Sequence, residues 1–455
     1  MYRDRHSKNE FDWRLYPEAE NFLSEKVKQF NNGNKISLQV AKRIESETST
    51  RFMDWVDHIK LPVGAVSHEK LIQMGFRSHK DAQTDSLVFS NPEAVFFPIL
   101  IGGPNFELAI KTDDLDLFRR VFSSAQKIDG ERGSPLRELV IKDNDGYNFK
   151  AVERRGYGGY SIDQNADTDA YFSALELFMH RKRNVIDSIA GIEELVEQVD
   201  SIHKYLEKTR LLDAFFRAER QYWLSRNDTA QAQKKRQDSV GLGWANHDHH
   251  TFRSSRICFR ILIKLFEGLG LELREAFHAG AQAGWGAQIL ENSETGIVVF
   301  ADLDIPYDEK SLDFSHEYLE EISELGTVGT WVGLQGESIM EAGMHHMAVR
   351  LSFKKVETDL KELGISFMKP FSNFDFLKQE FSVGEKWGPI KHKIDELHDK
   401  GYINRSEYRD FIENGAIGSH LENIERGKGF KGFNQDSVSV IIKETDPRKQ
   451  KRRGA

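Results

Sequence analysis

The chain has 455 residues, 39% of them hydrophobic and 30% charged, with a net charge of −9 and a single cysteine. That length allows two or three domains with a sizeable core, and the acidic balance argues against a general nucleic-acid binder. One cysteine excludes a disulfide framework or a thiolate zinc site within the chain. No apolar run is long enough to span a membrane, and the first residues lack the apolar core of a signal peptide, so a cytoplasmic protein is expected.

Residues 1–50 are predicted as N-terminal helices, with Phe22, Val27 and Phe30, then Ile36, Val40 and Ile44, on apolar stripes. A first βαβββ module region is expected over 51–163. It opens with a strand at 55–62, and a helix follows from Ser67 to its stop at Gly75. Extended runs are expected at 86–89 and 94–101. Phe106–Lys111 starts a second strand-then-helix unit, closed by strands 136–142 and 147–154 around the hairpin signal Asp143-Asn-Asp-Gly146. Residues 164–240 read as a charged helical insertion, with Ile189, Ile192, Val196, Val199 and Leu206 at helical spacing; its end, 230–238, reads as a flexible Gln/Lys-rich lead.

The second module region, 241–335, begins with Gly241-Leu-Gly-Trp-Ala-Asn-His-Asp-His-His-Thr-Phe-Arg-Ser-Ser-Arg256. This His-rich strand runs into an amphipathic helix carrying Ile257, Ile261, Leu262, Leu265 and Leu269. Strict alternation would send His247, His249 and Thr251 to one face and Asp248, His250 and Phe252 to the other. Strands at 285–290 and 296–304 follow. The third module region, 336–447, starts at Met344-His-His-Met-Ala-Val-Arg350, continues into a helix ending at Gly364, is helical again at 390–400 and 406–414, and closes with a strand at 437–443. A basic disordered tail, 448–455, ends the chain.

The order strand, helix ending in Gly, then two or three strands recurs, with His in three of the first strands. The fold class expected is α+β: paired βαβββ modules, each exposing a curved sheet face, joined into a half-open barrel and carrying a helical insertion. Val56-Asp-His-Ile-Lys-Leu61 and His345-His-Met-Ala-Val-Arg350 resemble module starts of the vicinal oxygen chelate superfamily, which includes glyoxalases, extradiol dioxygenases and hydroxyphenylpyruvate-type dioxygenases. One branch, the 2-oxoadipate dioxygenase/decarboxylase family, has an Asn-His-Leu-Thr-Pro-Arg motif to which Asp248-His-His-Thr-Phe-Arg253 is similar. Its Glu-Gln-Arg-Gly-Val strand end resembles Glu153-Arg-Arg-Gly-Tyr157, and its early His and Val-Gly step resemble His58 with Val63-Gly64. The resemblance implies a divalent metal held by His58, His249 and Glu153, with Arg253 and Arg154 positioning an acid substrate. The sequence departs from the branch in two ways. Glu153 precedes His249 rather than following it, leaving Asp302 and Asp304 as later acidic candidates, and Pro62 stands where the branch has its carboxylate-binding Arg, so that Lys60, Arg154 or Arg253 would substitute.

Two imidazoles and one carboxylate leave open positions on a metal for a bidentate substrate and dioxygen, a set suited to non-haem Fe(II), with Mn, Ni and Zn as alternatives. The expected function is therefore a metal-dependent dioxygenase or related lyase acting on a small 2-oxo or hydroxy acid. A metal-dependent isomerase, lyase or hydrolase on the same scaffold, with Glu153 or Asp302 as base, and a non-catalytic ligand-binding protein are the rival readings. His247 and His250 compete with His249 for the site, and His345 or His346 could build one within the C-terminal half, where the expected last strand offers no carboxylate before Glu444. The expected partners are the acid and dioxygen, with no nucleic acid and no membrane; a homodimer is compatible with all of this.

Overall fold

The computed structural model describes residues 13–452 apart from 82, 85, 123, 145, 164, 279–283, 310, 435–440 and 443. The chain opens with helices α1 (Pro17–Gly33) and α2 (Lys35–Thr48); Asn34 caps the second by accepting from the Ser37 amide. A strand β1 (Val56–Leu61) leads through α3 (His68–Gln73) to β2 (Arg77–Lys80), β3 (Leu87–Ser90) and β4 (Ile99–Ile101). Ser67 caps α3 and Gly75, at φ +91°, turns the chain out of it. The pattern repeats as β5 (Phe106–Lys111), α4 (Leu115–Val121), β6 (Ile128–Asp129), β7 (Leu136–Asn144) and β8 (Tyr147–Arg154).

These two units form one eight-stranded sheet in the order β2-β3-β4-β1-β5-β8-β7-β6. The first strands β1 and β5 run antiparallel at its centre, and each pairs in parallel with the last strand of its own unit. One face is packed with Ile59, Leu108, Ile110, Phe149 and Ala151 against the helices, including Phe30 and Ile44 of α1 and α2. The opposite, concave face carries His58, Glu107, Lys150 and Arg154, as the period of two requires.

Four helices follow: α5 (Thr168–His180), α6 (Ser188–His203), α7 (Lys208–Leu224) and α8 (Asp228–Ser239). The last replaces the flexible lead expected at 230–238. Its glutamines are structural: Gln233 and Gln237 are buried, and their amides donate to the carbonyls of Thr48 and Gly243. A polar helix is stable here because burial is matched by hydrogen bonds rather than by apolar area.

The second pair of units comprises β9 (His247–Arg253), α9 (Arg256–Gly268), β10 (Glu272–His278), β11 (Trp285–Asn292) and β12 (Ile297–Asp304), then α10 (Thr327–Gln335), β13 (His346–Arg350), α11 (Phe353–Lys361), β14 (Ser372–Asn373), β15 (Leu377–Phe381), β16 (Glu385–Trp387), α12 (Lys391–Asp399), α13 (Arg405–Asn414) and β17 (Ala416–Arg426). Their sheet has the order β10-β11-β12-β9-β13-β17-β15-β14, with β16 pairing β17. It is the same arrangement: β9 and β13 antiparallel at the centre, each parallel to its own last strand, β12 or β17. The fold is thus α+β, four βαβββ units in two pairs. The outer face of the second sheet packs Phe252 against Phe216 of α7 and Phe266 of α9, which locks the helical insertion to it. The expected last strand over 437–443 lies largely outside the described residues; Ile441 and Ile442 are helical, and the strand that completes the sheet is β17. No helix among the described residues is long and apolar enough to cross a membrane.

Candidate metal centre

Strands β9, β13 and β17 bring His249, His346 and Glu422 to one point inside the second sheet, with a ligand atom from each within 4.8 Å of the others. All three side chains are buried. Nε2 of His249 and Nε2 of His346 each lie 3.1 Å from Oε2 of Glu422. Burial by itself would lower the His249 pKa, but Glu422 and Asp248 raise it to about 9. Burial likewise works against the Glu422 carboxylate, yet His249 and His346 hold it well below the usual range.

The surroundings fix each donor. Asp248 Oδ1 accepts from His249 Nδ1 at 3.0 Å, so that imidazole keeps a proton on Nδ1 and would give up the one on Nε2 to take a metal there. Asp248 is held in turn by Arg426, which donates Nε at 2.9 Å and Nη2 at 2.9 Å, and by Arg350 at 2.9 Å. Gln379 Nε2 donates to Glu422 Oε1 at 2.9 Å, leaving Oε2 toward the histidines. His346 Nδ1 lies 3.0 Å from Nδ1 of His345, while its Nε2 also approaches Thr251 Oγ1 at 2.8 Å. Phe300 and Phe433 pack on the His249 ring at 4.8 and 5.3 Å, and Phe381 on His346 at 5.0 Å. Two neutral-imidazole donors and a carboxylate oxygen, converging in an apolar shell with their orientations set from behind, fit a divalent transition metal.

Arg253 lies two strand steps beyond Thr251 toward one end of the barrel and is 1% exposed, yet Nε, Nη1 and Nη2 have no hydrogen-bond partner among the described residues. Burial lowers its pKa to about 10, against the attraction of Asp302 and Asp304. The guanidinium stands 5.6 Å from the Trp331 ring. Burial raises Asp302 to about 7, with Arg253 and His249 opposing. Asp304 is already engaged, accepting the amides of Gly326, Val328 and Gly329 at the start of α10.

The structure does not bring His58 and Glu153 to His249. His58 belongs to the first sheet, where Asp57 Oδ1 accepts from its Nδ1 at 2.6 Å and Tyr160 packs on its ring. Glu153 faces the other side of β8, because alternation along the strand opposes it to Arg154. There it accepts the Leu115 amide at the start of α4 at 2.9 Å and pairs with Arg137 and Arg155. Arg154 is also occupied, donating Nε at 2.7 Å and Nη2 at 2.8 Å to Asp57. The face expected for His247 differs too. Its ring lies 5.1 Å from that of His250, on the outer side with Phe216, because a register shift between Met347 and Val349 breaks the alternation of β9.

The two sheets correspond in pairing register, so that His58 occupies the position in the first that His249 occupies in the second. Each has an alanine at the irregularity between its central strands: Ala109 opposite His58, and Ala348 opposite the Asp248–His249 step. Ala109 pairs with Lys150 on the last strand, and Ala348 with Glu422. Two residues before each alanine stand Glu107 and His346; four residues after the last-strand position stand Arg154 and Arg426, each forked onto the aspartate beside the first-strand histidine. The first sheet therefore keeps the histidine and its support but exchanges the other two ligands for an ion pair, Lys150 Nζ to Glu107 at 2.8 Å.

His346 was visible in the sequence as an alternative ligand; Glu422 was not, although the period-two run Gly418, His420, Glu422, Ile424, Arg426 marks a strand with a polar inner face.

No protein-family model matches this chain, and no curated protein matches it in sequence. Among solved structures it is similar to hydroxyglutarate synthase from Oryza sativa in complex with 2-oxoadipate, at 13% identity and a TM-score of 0.35, over 60% of this chain and 98% of that one. It is also similar to a mutant of 4-hydroxymandelate synthase from Streptomyces coelicolor, at 10% identity and a TM-score of 0.28, over 87% and 98% of the two chains. A third similarity is to methylmalonyl-CoA epimerase from Mycobacterium tuberculosis, at 13% identity and a TM-score of 0.23, over 40% and 89%.

Proposed function

We propose that this chain is a metal-dependent enzyme of the vicinal oxygen chelate type, a non-haem Fe(II) dioxygenase or related lyase acting on a small 2-oxo or hydroxy acid. The observation that carries this is the convergence of His249, His346 and Glu422 beside a buried guanidinium whose three nitrogens have no partner among the described residues. His249, His346 and Glu422 would hold the ion, which when bound supplies Lewis-acid stabilisation of a developing oxyanion and, as iron, electrons for dioxygen. Arg253 binds the acid: a guanidinium matches a carboxylate with two parallel hydrogen bonds, and burial removes competing water. Phe300, Phe381 and Phe433 exclude water around the ligands. Asp302, titrating near neutrality, can hold or release a proton beside Arg253.

A second reading, a metal-dependent isomerase or lyase that needs no dioxygen, is favoured by Asp302, whose carboxyl is poised as a base. The deciding experiment is elemental analysis of protein purified without oxygen or chelators, with oxygen uptake recorded as 2-oxo acids are added. Wild type is expected to hold about one transition metal per chain, and His249→Ala to bind it at least roughly tenfold more weakly. Metal without oxygen uptake for any acid moves the conclusion to the second reading, and protein that holds no metal refutes both.

A further inference from the structure

Beside the proposed metal ligands sit two further imidazoles, His345 and His420, both buried and each with an Nε2 that has no partner among the described residues. Their proton positions follow from their other nitrogens. His420 Nδ1 is 2.8 Å from the Ser382 carbonyl, which can only accept, so His420 carries its proton on Nδ1 and its Nε2 is a bare acceptor. His346, offering Nε2 to the cluster, carries its proton on Nδ1 and gives it to His345 Nδ1 at 3.0 Å. His345 must then carry its own proton on Nε2, which is a donor. The two rings are 5.3 Å apart, and His345 lies 5.3 Å from Trp331, the ring over which Arg253 stands. A donor, an acceptor and a guanidinium without a hydrogen-bond partner among the described residues thus lie near one another beside the ligands, and the Arg253 charge acts on both imidazoles.

We infer that His345 and His420 form a hydroxyl-reading subsite, so that the acid held by Arg253 carries a hydroxyl on its carbon chain. A hydroxyl is the small group that accepts from His345 Nε2–H and donates to His420 Nε2 at once. A site built this way rejects the analogue lacking that group, because two buried polar atoms are then left unpaired. The inference rests on the acid-binding reading proposed above.

The test uses the full chain loaded with Zn(II), which is redox-inert and so cannot support oxygenase turnover, and calorimetric titration with 4-hydroxy-2-oxobutanoate and 2-oxobutanoate. Wild type is expected to bind the hydroxylated acid at least about tenfold more tightly. His420→Phe is expected to bring the two affinities within about twofold, whereas Arg253→Met weakens both acids. Nitrogen-15 NMR of the Zn(II)-loaded wild type, which requires no variant to fold, is expected to show His345 protonated on Nε2 and His420 on Nδ1. Equal affinities in wild type, a preference that survives His420→Phe, or the opposite tautomer at His345 overturns the subsite and leaves the acid reading intact. A metal-loaded wild type that binds neither acid overturns both.

Discussion

Replacing Asp248 by asparagine separates what supports the metal from what supports the fold, because the molecule contains its own control. Asp248 Oδ1 accepts from His249 Nδ1, and its carboxylate is forked by Arg426 and touched by Arg350; the side chains of Asp248 and Arg426 are 4% and 3% exposed. Asp57 makes the same contacts to His58 and Arg154, at 8% and 21% side-chain exposure, in a sheet whose other two ligand positions hold Glu107 and Lys150. Leaving a buried arginine without its carboxylate costs about 3–5 kcal/mol, less for the Asp57 variant because Arg154 is partly solvated. Asparagine is also a weaker acceptor for the imidazole proton, and loss of such support lowers metal affinity by about 10–100-fold. Both aspartates are held below their ordinary pKa. Burial opposes this, and Arg426 with Arg350, or Arg154, prevails. Their stabilisation is therefore fully present above about pH 4 and is lost as the pH falls through the folded values. Urea unfolding of the apo proteins at pH 7 is expected to show a loss for Asp248→Asn and a smaller one for Asp57→Asn. Metal competition against a chromogenic chelator is expected to show weakened binding for Asp248→Asn alone. Equal metal affinities in the two variants, or weakening by Asp57→Asn, would refute the assignment of the centre to the second sheet.

Three further outcomes follow from the same geometry. The double variant Glu107→His with Lys150→Glu installs the missing ligands beside His58, and equilibrium dialysis should find two metal equivalents per chain in place of one; a count that stays at one contradicts the equivalence of the sheets. Glu380, pushed up to about 7 by burial, accepts from Asn423 at 2.8 Å. Its unfolded carboxyl ionises near pH 4.3, so the folded state loses stability as pH rises from there to about 7; Glu380→Gln should gain about 1–3 kcal/mol in urea unfolding at pH 7.5 and nothing at pH 4. Phe216→Ala empties a fully buried position against His250, Phe252 and Phe266 and should cost about 3–5 kcal/mol while metal affinity in the folded protein is unchanged; a shifted affinity would show that the helical insertion shapes the centre.

The repeating units were legible because apolar periodicity and glycine stops are local signals. Phe106–Lys111, Leu136 onward and Tyr147–Arg154 begin and end close to where hydropathy puts them, and the histidine-rich stretch is the first strand it resembles. What sequence did not carry was position in three dimensions. The register shift in β9 costs one residue of alternation, which turns His247 outward while His249 stays inside, and no residue type announces it. β17 presents glycine, histidine, glutamate and arginine inward, so its pattern lacks the apolar face by which a strand is recognised, and α12 and α13 intervene between it and its neighbour β15. A closing strand at 437–443 offers His345 and His346 no carboxylate before Glu444, whereas Glu153 is marked only by the resemblance of its strand end. The polar helix at Asp228–Ser239 escaped for a related reason: its stability lies in where Gln233 and Gln237 send their amides, not in an apolar stripe.

The lysine that takes a ligand's place in the first sheet has a bearing on how the molecule is made. An ammonium tethered to the backbone arrives with the chain, so the amino-terminal half balances its inner charges as soon as it collapses. On the function proposed above, the carboxy-terminal half collects its cation from the surroundings. Scarcity of that ion therefore falls on one half alone, and protein made under starvation should emerge with the early sheet complete and the later one waiting to be filled.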